Sequence, residues 1–241
     1  MKKTWIITRR ELNTFFDSPM AYILIIAFLG LTGFFTWLYG ADIFLVNQAS
    51  LQTMFGVTYW TLFLFIPALT MRLFAEERRS GTLELLLTKP ITDLQVVLGK
   101  FLATWILIAI TLAMTFPYYI TVSALGPVDH GAIISGYLGL LLVSGVYIGI
   151  GIFTSAISSN QMVGFLLAWF IIIFFHLIFD ILAVNIGGSI GFALNYLSVS
   201  THYESLSRGV IDSKDILYLL SLMLATTLGT MVLISRRNRN D

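Results

Sequence analysis

Phe74-Ala-Glu-Glu-Arg-Arg-Ser-Gly-Thr-Leu-Glu-Leu-Leu-Leu-Thr-Lys-Pro90 is the longest polar interruption in an otherwise apolar chain of 241 residues. It separates an apolar run at about 55–73 from another at about 101–125. Each approaches or exceeds the roughly 20 residues that an α-helix needs to cross a bilayer. Outward from this pair lie four more such runs, at about 20–40, 132–155, 161–182 and 214–235. Six spans joined by short connections predict an all-α integral membrane protein, with residues 1–241 forming one transmembrane domain.

Composition supports this reading. Apolar residues make up 57% of the chain and charged residues 11%, against about 25% charged in a soluble domain. The net charge of +1 creates no bulk field for nucleic acid, and none is expected as a partner. Cysteine is absent, which removes disulfides, thiolate zinc sites and cysteine nucleophiles together. The first apolar run is too long for a signal-peptide core and reads as a retained span. Twelve of the fourteen Lys and Arg residues fall in the N-terminal segment, in the stretch from Arg72 to Lys100, or in the tail. The positive-inside rule therefore puts both termini and the loop between spans two and three in the cytoplasm.

Local signals refine the picture. Residues 1–18 predict an interfacial elbow helix, with Trp5, Ile6, Leu12, Phe15 and Phe16 opposite Lys2, Lys3, Arg9, Arg10 and Asn13. Ser18-Pro19 then restarts the chain as a cap followed by a first-turn proline. Pro67 and Pro117 predict kinks in spans two and three. Gly145 and Gly149 form a small-xxx-small pair suited to close helix packing. About thirty residues between spans five and six exceed a simple turn. Asn185 to Gly191 predicts an outer re-entrant hairpin. Thr201-x-x-Glu204 predicts the capping box of a short outer helix ended by Gly209, and Asp212 or Ser213 is expected to cap span six.

Inside the polar interruption, residues 74–91, Ser80-Gly81-Thr82 offers a break and a cap. Leu83 to Thr88 gives one or two helical turns, and Pro90 stops them. Thr92-x-x-Gln95 is a capping box that launches span three. The expected object is a short cytoplasmic helix parallel to the membrane, with Glu84 and the cluster from Glu76 to Arg79 available for ion pairs. On residues alone, a solvated connection and a docking surface both fit. There is no Walker A motif: Gly99-Lys100 is followed by Phe101 where Ser or Thr is required.

The segment from Ile66 to Ile91 resembles the hallmark region of ABC-2 type transporter permeases, and within them most resembles the gliding-motility (GldF) type. Supporting matches are Arg10-Glu-Leu12 with Ser18-Pro19, Gly151-Ile-Phe-Thr-Ser155 followed by Asn160-Gln161, and Ser205-Leu-Ser-Arg-Gly-Val-Ile-Asp212. Copper-maturation permeases share much of the pattern. The resemblance implies the membrane half of an ATP-driven transporter in a bacterial inner membrane. A separate cytoplasmic ABC ATPase (GldA-like) would bind ATP and Mg, leaving this chain without a cofactor. It would dock on a coupling helix between spans two and three, a role that falls on Glu76, Glu77, Arg78, Arg79, Gly81, Thr82, Glu84, Leu85 and Lys89. The resemblance further implies a second permease (GldG-like) or a second copy of the chain, and an unidentified substrate.

Within the spans, His176 and Asp180 stand out as ionisable residues four apart, and hence on one helix face. Three readings follow: a pair bonded at the outer boundary, a lining of the pathway or outer gate, or a proton site. The last would make the chain a proton-coupled secondary carrier working without an ATPase. A membrane scaffold for a motility or maturation machine is the remaining alternative. His130 and His202 add no recognisable metal spacing, and no metal is expected.

Overall fold

A computed structural model describes residues 2–39, 50–82 and 91–237. The described residues form helices and connections without a strand, and they include six helices long and apolar enough to cross a membrane. Helix α1 (Lys2–Asp17) leads into α2 (Pro19–Trp37), the first span. The Ser18 Oγ accepts the Met20 N–H at 3.3 Å, and Pro19 opens the helix where its missing N–H leaves no carbonyl unpaired. Ser18 thus starts span one as its sequence context indicates.

Helix α1 forms where the elbow helix is expected, but its apolar residues do not share one face. Its buried residues are Ile7, Thr8, Glu11 and Phe15, while Trp5 and Ile6 are exposed. Phe15 therefore parts from Trp5 and Ile6. The helix has a protein-facing stripe containing a carboxylate, which a search for apolar periodicity cannot detect. Its outward Trp5 and Ile6 suit the interfacial belt of a bilayer.

Span two comprises α3 (Gln52–Thr70), a turn over 71–74, and α4 (Ala75–Arg79). The helix continues through Pro67, and the chain leaves helical geometry only after Thr70. Ser155 covers this break: its Oγ accepts the N–H groups of Phe74 and Ala75 at 3.0 and 3.1 Å and donates to the Met71 carbonyl at 2.9 Å. Span three is α5 (Asp93–Ala113) followed by α6 (Phe116–Leu125). The capping box at its start is present in both directions, with Gln95 N–H to Thr92 Oγ1 at 3.4 Å and Thr92 N–H to Gln95 Oε1 at 3.2 Å. Pro117 does not kink a continuous helix. It lies in the first turn of α6, after a break at Met114 and Thr115, where its missing donor is tolerated.

Span four is α7 (His130–Ile157), capped by Asp129, whose Oδ1 accepts Gly131 and Ala132 N–H at 2.9 and 3.1 Å. A Cβ placed on Gly145 would lie 2.6 Å from Met223 Sδ, and one on Gly149 would overlap Thr226. Both neighbours belong to span six, α12 (Ser213–Arg237). Span five is α8 (Gln161–Ile173), a π-helical turn over Phe174–Ile178, and α9 (Phe179–Ile186).

The outer segment is a helical hairpin. Gly187 and Gly188, at φ +63° and +60°, turn α9 into α10 (Gly188–Tyr196). A short helix, α11 (Val199–Ser207), follows. The expected Thr201–Glu204 capping box does not form. Ser198 caps instead, accepting Ser200 N–H at 3.3 Å, which places Thr201 inside the helix and frees its hydroxyl for Asp180. Gly209 stands at φ +95° just past the helix end, and Asp212 Oδ1 accepts the Lys214 N–H at 3.0 Å to start α12.

Helices α3, α5 and α7 form the buried centre, whereas α2, α8 with α9, and α12 are mostly exposed. Their outward side chains, among them Ile23, Ile26, Phe170 and Leu217, are exposed and apolar, as suits a surface bathed in hydrocarbon. One end of the bundle gathers α1, α4, the start of α5, and the ends of α7 and α12. The Ser235 hydroxyl donates to Asp93 Oδ2 at 2.7 Å there.

Candidate functional site

At that end, a buried cation organises the contacts. The Lys100 side chain, on the second turn of α5, is 1% exposed. Its Nζ lies 2.8 Å from Glu77 Oε1 on α4 and 3.4 Å from Glu11 Oε2 on α1, and 5.1 Å above the Phe74 ring. Arg10 Nη2 completes the group, 2.5 Å from Glu11 Oε1 and 3.6 Å from Glu77 Oε1. Two carboxylates thus face two cations. A buried ammonium costs several kcal/mol unless it is paired, so Lys100 fixes α1 and α4 relative to α5. Lys100 can reach both because α1 packs closely over the preceding residue. A Cβ on Gly99 would lie 2.5 Å from Ile7 Cγ2, and Thr8 Oγ1 donates to the Gly99 carbonyl at 3.2 Å.

Helix α4 is held from a second side. Arg78 Nη1 donates to the Ile157 carbonyl at the end of α7 at 2.6 Å, and Ser155 bridges the turn just before it. The helix then stops at Ser80, whose Oγ donates to the Glu76 carbonyl at 2.9 Å, and Gly81 at φ +70° turns the chain away. Thr82 Oγ1 donates back to the Glu77 carbonyl at 3.3 Å.

Of the docking residues expected from sequence, Glu76, Arg79, Gly81 and Thr82 are exposed at this end. Glu77 turns inward to Lys100 and Arg78 binds back to α7, so these two serve the internal framework. Glu84, Leu85 and Lys89 lie outside the described residues, as does the helical stretch expected over 83–88. Sequence reasoning missed Lys100, Glu11, Arg10 and Ser155 as members. Lys100 carried a signal, since a lysine at the mouth of an apolar run requires a counter-charge. Nothing in the sequence indicated that Glu11 would supply part of it.

His176 and Asp180 are not bonded to each other. His176 is buried, with Nδ1 2.6 Å from the Tyr147 hydroxyl and its ring stacked on Tyr59 at 4.3 Å, flanked by Trp60 and Phe63. Asp180 instead accepts the Ser200 hydroxyl, and the Thr201 hydroxyl at 3.3 Å, tying span five to α11. The π turn that contains His176 changes the angular offset which regular α spacing assigns to the pair. The other histidines sit in separate clusters. His130 Nδ1 lies 3.2 Å from the Tyr119 hydroxyl, and His202 lies between Asp215 Oδ1 at 2.7 Å and the Tyr196 carbonyl at 2.8 Å.

Residues 44–236, well over half of the chain, match the family described as ABC-2 family transporter protein. No curated protein matches the chain.

Proposed function

Since the chain belongs to the ABC-2 family of transporter proteins, membrane components that partner an ABC ATPase, we propose that its α4 end receives that ATPase and passes the work of ATP hydrolysis into the spans. The docking surface comprises Glu76, Arg79, Gly81 and Thr82 with Glu84, Leu85 and Lys89 beyond them. Glu77 and Arg78 bind inward and transmit. The ATPase holds ATP and Mg. Transmission runs from Glu77 through Lys100 to α5 and α1, and through Ser155 and Arg78 to α7.

The observation that carries this reading is the burial of Lys100 between carboxylates from two other helices. A charge paired in this way resists separation from its partners, so a displacement of α4 moves α5 and α1 with it. The motif resemblance supports the gliding-motility branch, with GldA-like and GldG-like partners or a second copy of the chain. The clustering of Lys and Arg supports an inner-membrane protein with both termini in the cytoplasm. A proton-coupled carrier gains little support, because His176 and Asp180 engage different partners.

The test is copurification of the full chain with its ATPase, alongside Glu84→Ala and Gly81→Trp. Both variants are expected to insert normally, while ATPase association or its coupled activity falls. Wild-type behaviour of both would overturn the docking assignment, as would labels at Thr82 that are reachable only from outside the cell.

A further inference from the structure

The outward face of α1 carries two cations, Lys2 and Arg9. Both are exposed, and among the described residues neither has an anionic partner. Arg10, the next residue, is engaged instead by Glu11 and Glu77. At 3.6 residues per turn, Arg9 lines up with Trp5 four residues before it, with Lys2 seven before it and with Phe16 seven after it. These four side chains therefore share one face, bordered by Leu12. The buried stripe of Ile7, Thr8, Glu11 and Phe15 lies on the opposite side, where Ile7 and Thr8 meet Gly99 of α5.

The bilayer meets this face. Phe16 packs edge-on against Tyr22 in the first turn of span one, with ring centroids 6.0 Å apart. Tyr22 and, one turn on, Ile26 are exposed on the lipid-facing side of that span. The apolar surface of span one thus runs on through Phe16 to the exposed Trp5, and Arg9 stands between them. A tryptophan beside an arginine suits the interfacial layer, where the ring lies against the upper acyl carbons and the guanidinium reaches the phosphates. A guanidinium binds phosphate through paired hydrogen bonds, but a zwitterionic headgroup brings its own cation and leaves Lys2 and Arg9 without a net counter-charge. We propose that the outward face of α1 binds anionic phospholipid of the phosphatidylglycerol class, with phosphates on Arg9 and Lys2 and acyl chains starting on Trp5 and Phe16. Asp17, an exposed acid at the far end of the helix, does not replace the lipid. It lies eight residues on, about 12 Å along the axis, beyond a Debye length of about 8 Å. Because Glu11 on the buried side reaches Lys100, the lipid holds the same helix that the ion cluster fastens to α5. The site rests on the unpaired cations and their aromatic neighbours, independently of the docking assignment above.

The experiment uses the full chain, whose lack of cysteine allows a single fluorophore to be attached through an introduced one. Asn13→Cys labels an exposed position one turn beyond Arg9, and Phe170→Cys, on the lipid-facing side of span five, is the control. Each labelled chain is reconstituted into equimolar phosphatidylglycerol and phosphatidylcholine with identical acyl chains, where one lipid or the other carries a spin-label quencher near the top of its chain. At position 13 and about 0.1 M salt, phosphatidylglycerol is expected to be favoured about fivefold, the shift that one cation near an anionic surface supplies. At position 170 the two lipids are expected to quench nearly equally. Lys2→Gln with Arg9→Gln is expected to remove the preference, and Lys2→Arg with Arg9→Lys to keep it. Both positions are exposed and unpaired, so elution volume and helicity are expected to stay unchanged in both double variants. Equal quenching by the two lipids at position 13, quenching there by neither, or a preference that survives the double Gln change overturns the proposal. An equal preference at positions 13 and 170 assigns the effect to general enrichment around the protein and also overturns it. If the double Gln variant loses the ATPase on copurification while its quenching matches that of the unaltered face, the cations belong to the protein partner and the proposal fails, while ATPase docking at this end stands.

Discussion

Replacing Lys100 with Met tests the framework most directly. Methionine nearly conserves the length and apolar stem of lysine, so loss of packing contributes little. What is removed is the ammonium 2.8 Å from Glu77 and 3.4 Å from Glu11. Glu11 and Glu77 then face each other with Arg10 as their nearby cation. Breaking a buried pair costs about 3–5 kcal/mol when the remaining charge stays buried. Here the Glu11 side chain is 10% and the Glu77 side chain 21% exposed, and Arg10 can shift towards either, which favours the lower end, about 3 kcal/mol. The assay is equilibrium unfolding in mixed detergent micelles of Lys100→Met, Glu77→Gln and the double variant. The double variant is expected to be more stable than the two single losses predict, with a coupling of about 1–3 kcal/mol, because the second change removes a carboxylate that the first stranded. A Lys100→Met loss below about 1 kcal/mol, the range of exposed pairs, would refute the claim that the cation is a buried fastener. Additivity of the two single changes would refute the claim that Glu77 is its partner.

Two further outcomes follow from the same end and centre of the bundle. Ser155→Ala strands the N–H groups of Phe74 and Ala75 and is expected to cost about 1–3 kcal/mol, with faster amide exchange at those two residues than at the interior of α3. Gly149→Ala places a methyl group where Thr226 now packs against α7, and an overpacking loss of about 1–3 kcal/mol is expected in the same unfolding assay. Pairing it with Thr226→Gly should recover most of that loss if the α7–α12 contact is its cause.

Much of the fold was legible because a bilayer imposes length and polarity on every span. Runs of some 20 apolar residues, a Ser-Pro restart and a Thr-x-x-Gln box are local signals, and the chain obeys them at Ser18 and Thr92. The misses share a physical cause. Thr201 competes with Ser198 for the same helix start, and Asp180, remote in sequence, draws the Thr201 hydroxyl away. His176 sits in a π turn, so a rule built on α spacing paired it with the wrong neighbour. Glu11 was given no place in the expected site, because no local pattern reveals that a carboxylate also pairs with a cation some ninety positions further along the chain. Pairings of this kind depend on which helices meet, and a single sequence does not encode that in any short window.

The placement of these polar contacts bears on the proposed coupling. The described ion pairs of the α4 end join three helices through Lys100, and Ser155 and Arg78 add a fourth, so α4 is bonded to α1, α5 and α7 within a few residues of its length. Apolar packing alone lets helices slide past one another at modest cost, whereas separating a buried ammonium from its carboxylates carries a steep penalty. A push on α4 is therefore shared among these helices instead of being absorbed locally. Close contacts at Gly145 and Gly149 then connect α7 to α12. On this reading the chain needs no long-range electrostatic path through its apolar interior. One polar joint at the membrane surface suffices, because densely packed helices below it transmit displacement as rigid bodies.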